Sequence, residues 1–245
     1  MLIEQTIEKL NRMKLFGMVK SYSERRIMPD HKGLSFDELF GLVVEDEYLN
    51  RKNRRLQKLL KEARLKIPSA CLEDVDYTTM RGLIKNIILN LQSGQWLDQH
   101  QNILITGPTG VGKTYLACAF GQFACRNGYR THYYRCPRLF EFLSSTRGDG
   151  SFLRSLKNLS RAELLILDDF GINHLDDTNR KDLLEIIEDR HLSCSTIITS
   201  QLPLEDWHEY IGDPTIADAI CDRIFHVANK FELKGVSMRK PQKMD

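Results

Sequence analysis

The chain has 245 residues, room for one large domain or for a core domain with a smaller module. With 42% hydrophobic and 28% charged residues it can bury a sizeable core, which excludes wholesale disorder. The formal net charge is only +2, and the apolar runs, of which Leu164–Leu167 is typical, are too short to span a bilayer.

The first residues alternate charged and apolar side chains, unlike a signal peptide, so a cytoplasmic location without a membrane partner is expected. Leu2, Ile3, Ile7 and Leu10 recur at helical spacing, and Met28–Gly33 reads as a turn. Phe36, Leu39, Phe40 and Val43 are again spaced as in a helix, with Ser35 as its N-cap. A further helix is expected over Glu45–Ile67, with Leu49, Leu56, Leu60, Ala63 and Ile67 on one face and Pro68 ending it. Arg51, Arg54, Lys58 and Lys61 fall on the opposite face. Cys71–Tyr77 reads as an acidic linker, and Met80–Leu91 as helical. These features predict a helical domain over residues 1–70.

From Asn102 onward short apolar strands alternate with helices. Strands are expected at Asn102–Thr106, Thr131–Arg135, Leu164–Leu167, Thr196–Thr199 and Ile224–Phe231. Helices are expected at Lys113–Arg126, around Arg138–Ser144, and at Asn179–Arg190. That alternation predicts an α/β domain over residues 71–245, its parallel sheet covered by helices on both faces. Six scattered cysteines without a CxxC pair read as free thiols, and the seven histidines show no metal-ligand spacing.

Gly107-Pro108-Thr109-Gly110-Val111-Gly112-Lys113-Thr114 fits the phosphate-binding pattern G-x-x-x-x-G-K-[ST], with a strand before it and a helix after it. Its glycines let backbone N–H groups turn towards a phosphate, and the helix offers its positive N-terminus. Lys113 is expected to reach the β- and γ-phosphates and Thr114 to ligate Mg2+. The run Leu164–Asp169 places two carboxylates at the end of a buried strand, where α/β folds bind ligands. Asp168 is the expected Mg2+ partner. Asp169 is expected to orient or deprotonate the attacking water. The two motifs together point to hydrolysis of a nucleoside triphosphate.

GPTGVGKT, LLILDDFG, TIITSQLP and the C-terminal GVSMR resemble the IstB/DnaC group of AAA+ ATPases, and KEARLKIPSACLED (Lys61–Asp74) resembles IstB specifically. The resemblance implies an AAA+ P-loop core behind a small all-helical N-terminal domain, with ATP and Mg2+ as cofactors. It also implies assembly on duplex DNA and delivery of a transposase. Further roles follow only from it. Asp169 stands where most AAA+ proteins place Glu, which implies slow hydrolysis. Gln201 matches the position of a polar sensor, usually Asn. Arg223 matches an arginine finger that enters a neighbouring subunit's site, which implies self-association into a ring or helical oligomer. Arg239 matches a C-terminal arginine that contacts nucleotide in the same subunit.

Residues 51–66 hold eight basic side chains against one acidic, Glu62. A basic face of this kind suits the phosphate backbone, with Arg51, Arg54, Arg55, Lys58 and Lys61 as the expected DNA contacts, although a solvated helix face has the same composition. The charge is divided unevenly: residues 1–100 carry 17 basic and 14 acidic side chains, and residues 101–245 carry 18 and 19. Three other readings stay open on sequence: a helicase loader, a weakly hydrolysing nucleotide-switched scaffold and a small-molecule kinase.

Overall fold

A computed structural model describes residues 2–27, 34–77 and 82–238. The Met28–Gly33 turn, the start of the Met80–Leu91 helix and Arg239 lie outside the described residues. The chain forms two compact units, residues 1–58 and 59–245. The second thus begins twelve residues before the expected boundary at 70/71.

The first unit holds α1 (Leu2–Arg12), α2 (Phe16–Ile27) and most of a long helix, α3 (Phe36–Ala63), whose last five residues belong to the second. Ser35 starts α3 with a capping box: its hydroxyl accepts from Glu38 N at 3.3 Å, and Glu38 Oε2 accepts from Ser35 N at 2.7 Å. Gly17 lets α2 approach α3 closely, for a Cβ there would lie 2.6 Å from Glu47 Cα. The freed N-terminal amides of α2 are met by that same residue, Glu47 Oε2 accepting from Gly17 N at 2.6 Å and Met18 N at 3.1 Å. Asp46 accepts from Ser21 Oγ at 2.5 Å and Arg25 Nη2 at 2.9 Å.

Two expected helices, near Phe36–Val43 and at Glu45–Ile67, are one helix, because no Gly-Pro break separates them. It ends at Ala63, where Arg64 turns left-handed (φ +52°), before Pro68 can act. Leu49 of the expected apolar face is 43% exposed, whereas Leu59, Ala63 and Leu65 are buried.

The second unit is a five-stranded parallel sheet in the order β2-β3-β4-β1-β5. Its strands are β1 (Asn102–Thr106), β2 (Thr131–Arg135), β3 (Leu164–Phe170), β4 (Ser195–Ser200) and β5 (Ala228–Glu232). Helices α4 (Lys85–Leu91), α5 (Gln95–Asp98), α6 (Lys113–Arg126), α7 (Cys136–Gly148), α8 (Phe152–Ser160), α9 (Asp177–Arg190), α10 (Trp207–Ile211) and α11 (Pro214–Phe225) complete it. Ile224 and Phe225, expected at the start of the last strand, close α11 instead, because Asp213 caps that helix and Pro214 opens it. The "acidic linker" buries Leu72 and Val75, and Glu73 pairs with Arg126 at 2.9 Å.

The core is apolar on both faces of the sheet, and β3 is buried along Leu164–Asp168. Phe170 packs against Trp207 at 4.6 Å and Tyr210 at 5.0 Å between ring centroids, which fixes the end of β3 just after the two carboxylates. Arg190 is 1% exposed and holds the opposite end. It donates to Thr196 Oγ1 at 3.0 Å, Leu159 O at 2.7 Å, Ala162 O at 2.6 Å, and Ser195 O. No helix among the described residues is long and apolar enough to cross a membrane.

Candidate nucleotide site

β1 runs straight into the loop Gly107–Gly112, and α6 begins at Lys113. Gly112 caps that helix at φ +99°, a left-handed backbone that favours glycine. The loop lies against the segment that follows β5. A Cβ on Gly107 would collide with Leu233 O and one on Gly110 with Ser237 Oγ, while Met238 N donates to Gly110 O at 2.9 Å. Val111 is buried, and Pro108 and Thr109 are exposed. Lys113 Nζ donates to Gly107 O at 2.6 Å and Pro108 O at 2.8 Å, so its ammonium is held over the loop's mouth.

Thr114, one residue further, places Oγ1 3.0 Å from both carboxylate oxygens of Asp168. Asp168 is fully buried, so its charge needs donors. Thr199 Oγ1 donates to Oδ1 at 2.5 Å and Tyr133 Oη to Oδ2 at 2.5 Å. Lys66 Nζ lies 3.8 Å from Oδ2. Burial, reinforced by the bond to Asp168, holds the Tyr133 hydroxyl well above the ordinary tyrosine range, so it remains a donor.

Asp169 has φ +62°, and the register between β3 and β4 shifts between Leu167 and Phe170. The bulge turns the second carboxylate away from the first. Thr199 Oγ1 accepts from Asp169 N at 3.1 Å, and Arg135 Nε donates to Asp169 Oδ2 at 2.7 Å. The hydrogen bond to Asp169 raises the Arg135 pKa above its ordinary value.

Gln201, just past β4, meets the loop: Thr109 Oγ1 donates to Gln201 Oε1 at 2.8 Å. One centre therefore gathers Lys113, Thr114, Asp168, Asp169 and Gln201. Tyr133, Arg135, Thr199 and Lys66, which the sequence reading did not single out, stand in the same centre.

Within the IstB-like ATP-binding family, described as "IstB-like ATP binding protein", the match covers residues 8–245. The chain belongs to this family. It is 47% identical over 243 residues to the insertion sequence ATP-binding protein y4pL of Sinorhizobium fredii, spanning 99% of each chain. It is 48% identical to the IS1162 ATP-binding protein of Pseudomonas fluorescens over 83% of this chain and 88% of that one. A DnaC helicase loader superposes with a TM-score of 0.56 at 20% identity, over 67% of this chain and 97% of the other, which shows a shared fold. In a family described as ATP-binding, the loop, the buried Asp168 and the Thr114 hydroxyl are the candidate nucleotide site.

Arg223 lies elsewhere. It donates to Ala219 O at 2.8 Å and Glu188 Oε1 at 2.7 Å, and it lines a small cleft with Asn102, Thr196 and Val227. Those residues mark the N-terminal ends of β1, β4 and β5, opposite the loop. Arg223 is therefore a full strand length from the nucleotide site of its own chain.

The basic residues of α3 are exposed. Arg51 pairs with Glu47 at 2.6 Å, and the Arg54 guanidinium lies 5.2 Å from the Phe16 ring centroid. Both contacts lie within the first unit.

Proposed function

We propose that this chain is the ATP hydrolase of an insertion sequence, which assembles on duplex target DNA in its ATP-bound state and recruits a transposase. The observation that carries the reading is the Thr114 hydroxyl set on both oxygens of buried Asp168 beside Lys113. The names of relatives that match the chain over nearly its whole length support the biological setting. The helicase-loader likeness supports a fold alone at 20% identity.

Thr114 and Asp168 supply hard oxygen ligands side by side, the donor set that Mg2+ prefers. Held by these two residues, the ion would offset the negative charge of the bound phosphates. Loop amides and Lys113 bind the phosphates. Asp169, its charge offset by Arg135, orients the attacking water and accepts its proton. Asp is shorter than Glu, so this proton acceptor stands further back and turnover is slow. Gln201, anchored to Thr109, senses the terminal phosphate. Arg223 cannot serve its own site and acts on that of an adjoining copy, so full activity requires self-association in a ring or helix. Arg51, Arg54, Arg55, Lys58 and Lys61 of α3 meet the DNA backbone.

The test is ATP turnover by the purified chain with no DNA, single strands or duplex, beside Lys113→Ala. The expected result is slow turnover raised by duplex and abolished in the variant. Stimulation by single strands alone supports the helicase-loader reading, and equal turnover in Lys113→Ala overturns the site.

A further inference from the structure

The segment that leaves α3 is held against the ATP-binding core. Leu65 and Ala70 are buried, and the Tyr115 hydroxyl of α6 lies 3.4 Å from both the N–H and the carbonyl of Cys71. Between these anchors Lys66 reaches the nucleotide site, its Nζ 3.8 Å from Asp168 Oδ2 and its side chain 44% exposed.

A buried carboxylate is costly without a compensating charge. The hydroxyls of Thr114, Thr199 and Tyr133 give Asp168 dipoles only. Lys113 donates to the loop carbonyls and Arg135 to Asp169. The Arg135 charge also acts on Asp168, but among the described residues Lys66 forms the direct ion pair with it. At 3.8 Å the contact is Coulombic and too long for a hydrogen bond. Three hydroxyls pin the carboxylate, whereas a half-exposed lysine swings into water at little cost. A divalent cation at Thr114 and Asp168 competes with this ammonium for one carboxylate. The lysine is the partner that yields.

We propose that Lys66 is a built-in counter-ion of Asp168, expelled when metal and nucleotide bind. The inference rests on the nucleotide-site reading. It couples occupancy of that site to the connector, because Lys66 follows the last residue of α3 by three positions.

Lysine acylation of the full chain, read by mass spectrometry with and without Mg2+ and a non-hydrolysable ATP analogue, tests it. Lys113 becomes protected and Lys66 more reactive, and in Asp168→Asn Lys66 is already reactive without nucleotide. Lys66→Gln lowers the Mg2+ needed for half-saturation of analogue binding by about three- to fivefold, the scale of a partly exposed ion pair. Protection of Lys113 with no gain at Lys66, or an unchanged Mg2+ requirement in Lys66→Gln, overturns the inference. Absence of Lys113 protection overturns the nucleotide site itself, and the inference with it.

Discussion

Thr199 Oγ1 stands 2.5 Å from Asp168 Oδ1 and accepts the N–H of Asp169 at 3.1 Å, so one hydroxyl on β4 ties the Asp168 carboxylate to the Asp169 backbone. Thr199→Val keeps the shape and removes the donor. ATP turnover is expected to fall about 10- to 100-fold, the worth of a hydrogen bond to a charged group. Thr199→Ser, which keeps the hydroxyl, is expected to retain most of the rate. Equal rates in both variants would remove Thr199 from the site.

Arg223 is tested by mixing. Arg223→Ala and Lys113→Ala are each expected to lose at least about tenfold in turnover, since arginine fingers contribute strongly to phosphoryl transfer. Mixed together they should recover activity, because a Lys113→Ala copy offers its finger to an intact pocket. No recovery, with assembly intact, contradicts a role between copies. The lost ion pair with Glu188 should cost under about 1 kcal/mol of stability.

Arg190 predicts a stability effect rather than a catalytic one. Burial pushes its pKa down to about 10, and the carbonyls of Leu159, Ala162 and Ser195 all depend on it. Arg190→Ala removes this buried donor from all three and is expected to cost about 3 kcal/mol. Urea unfolding of the two proteins measures the difference.

The first unit is expected to be acid-sensitive. Hydrogen bonds from Ser21 and then Arg25 hold Asp46 below its ordinary pKa. Burial opposes a low value for Glu47, but bonds from Arg51, Met18 N and Gly17 N outweigh it. For carboxylates so lowered, the stability is present above the unfolded pKa and is lost as pH falls through the folded one. Amide protection in Phe16–Ile27, corrected for intrinsic exchange, should therefore drop below about pH 4. In Glu47→Gln protection should be lower at neutral pH and should vary less with acid.

Much of the core was legible because its signals are local. The strands Asn102–Thr106 and Thr131–Arg135 and the helix Lys113–Arg126 end where the sequence places them, between glycines and turns that punctuate apolar runs. The helix end at Ala63 was not legible, since nothing in Arg64 itself announces a left-handed backbone. Nor were the partners of the acidic pair. Tyr133 and Arg135 alternate on β2, so a strand period of two puts them on one face, but only the pairing of β2 with β3 brings that face to Asp168. Lys66 read as one more charge of a basic run, whereas the fold gives it a different neighbour from Lys61.

Imaging the full chain with ATP and duplex DNA, beside Asp168→Ala, tests whether the ATP state controls assembly. Ordered assemblies on duplex are predicted for the unaltered chain with ATP, absent without ATP and absent in the variant. Failure to bind duplex in any nucleotide state, or assemblies of equal order in Asp168→Ala, would contradict control of assembly by bound ATP.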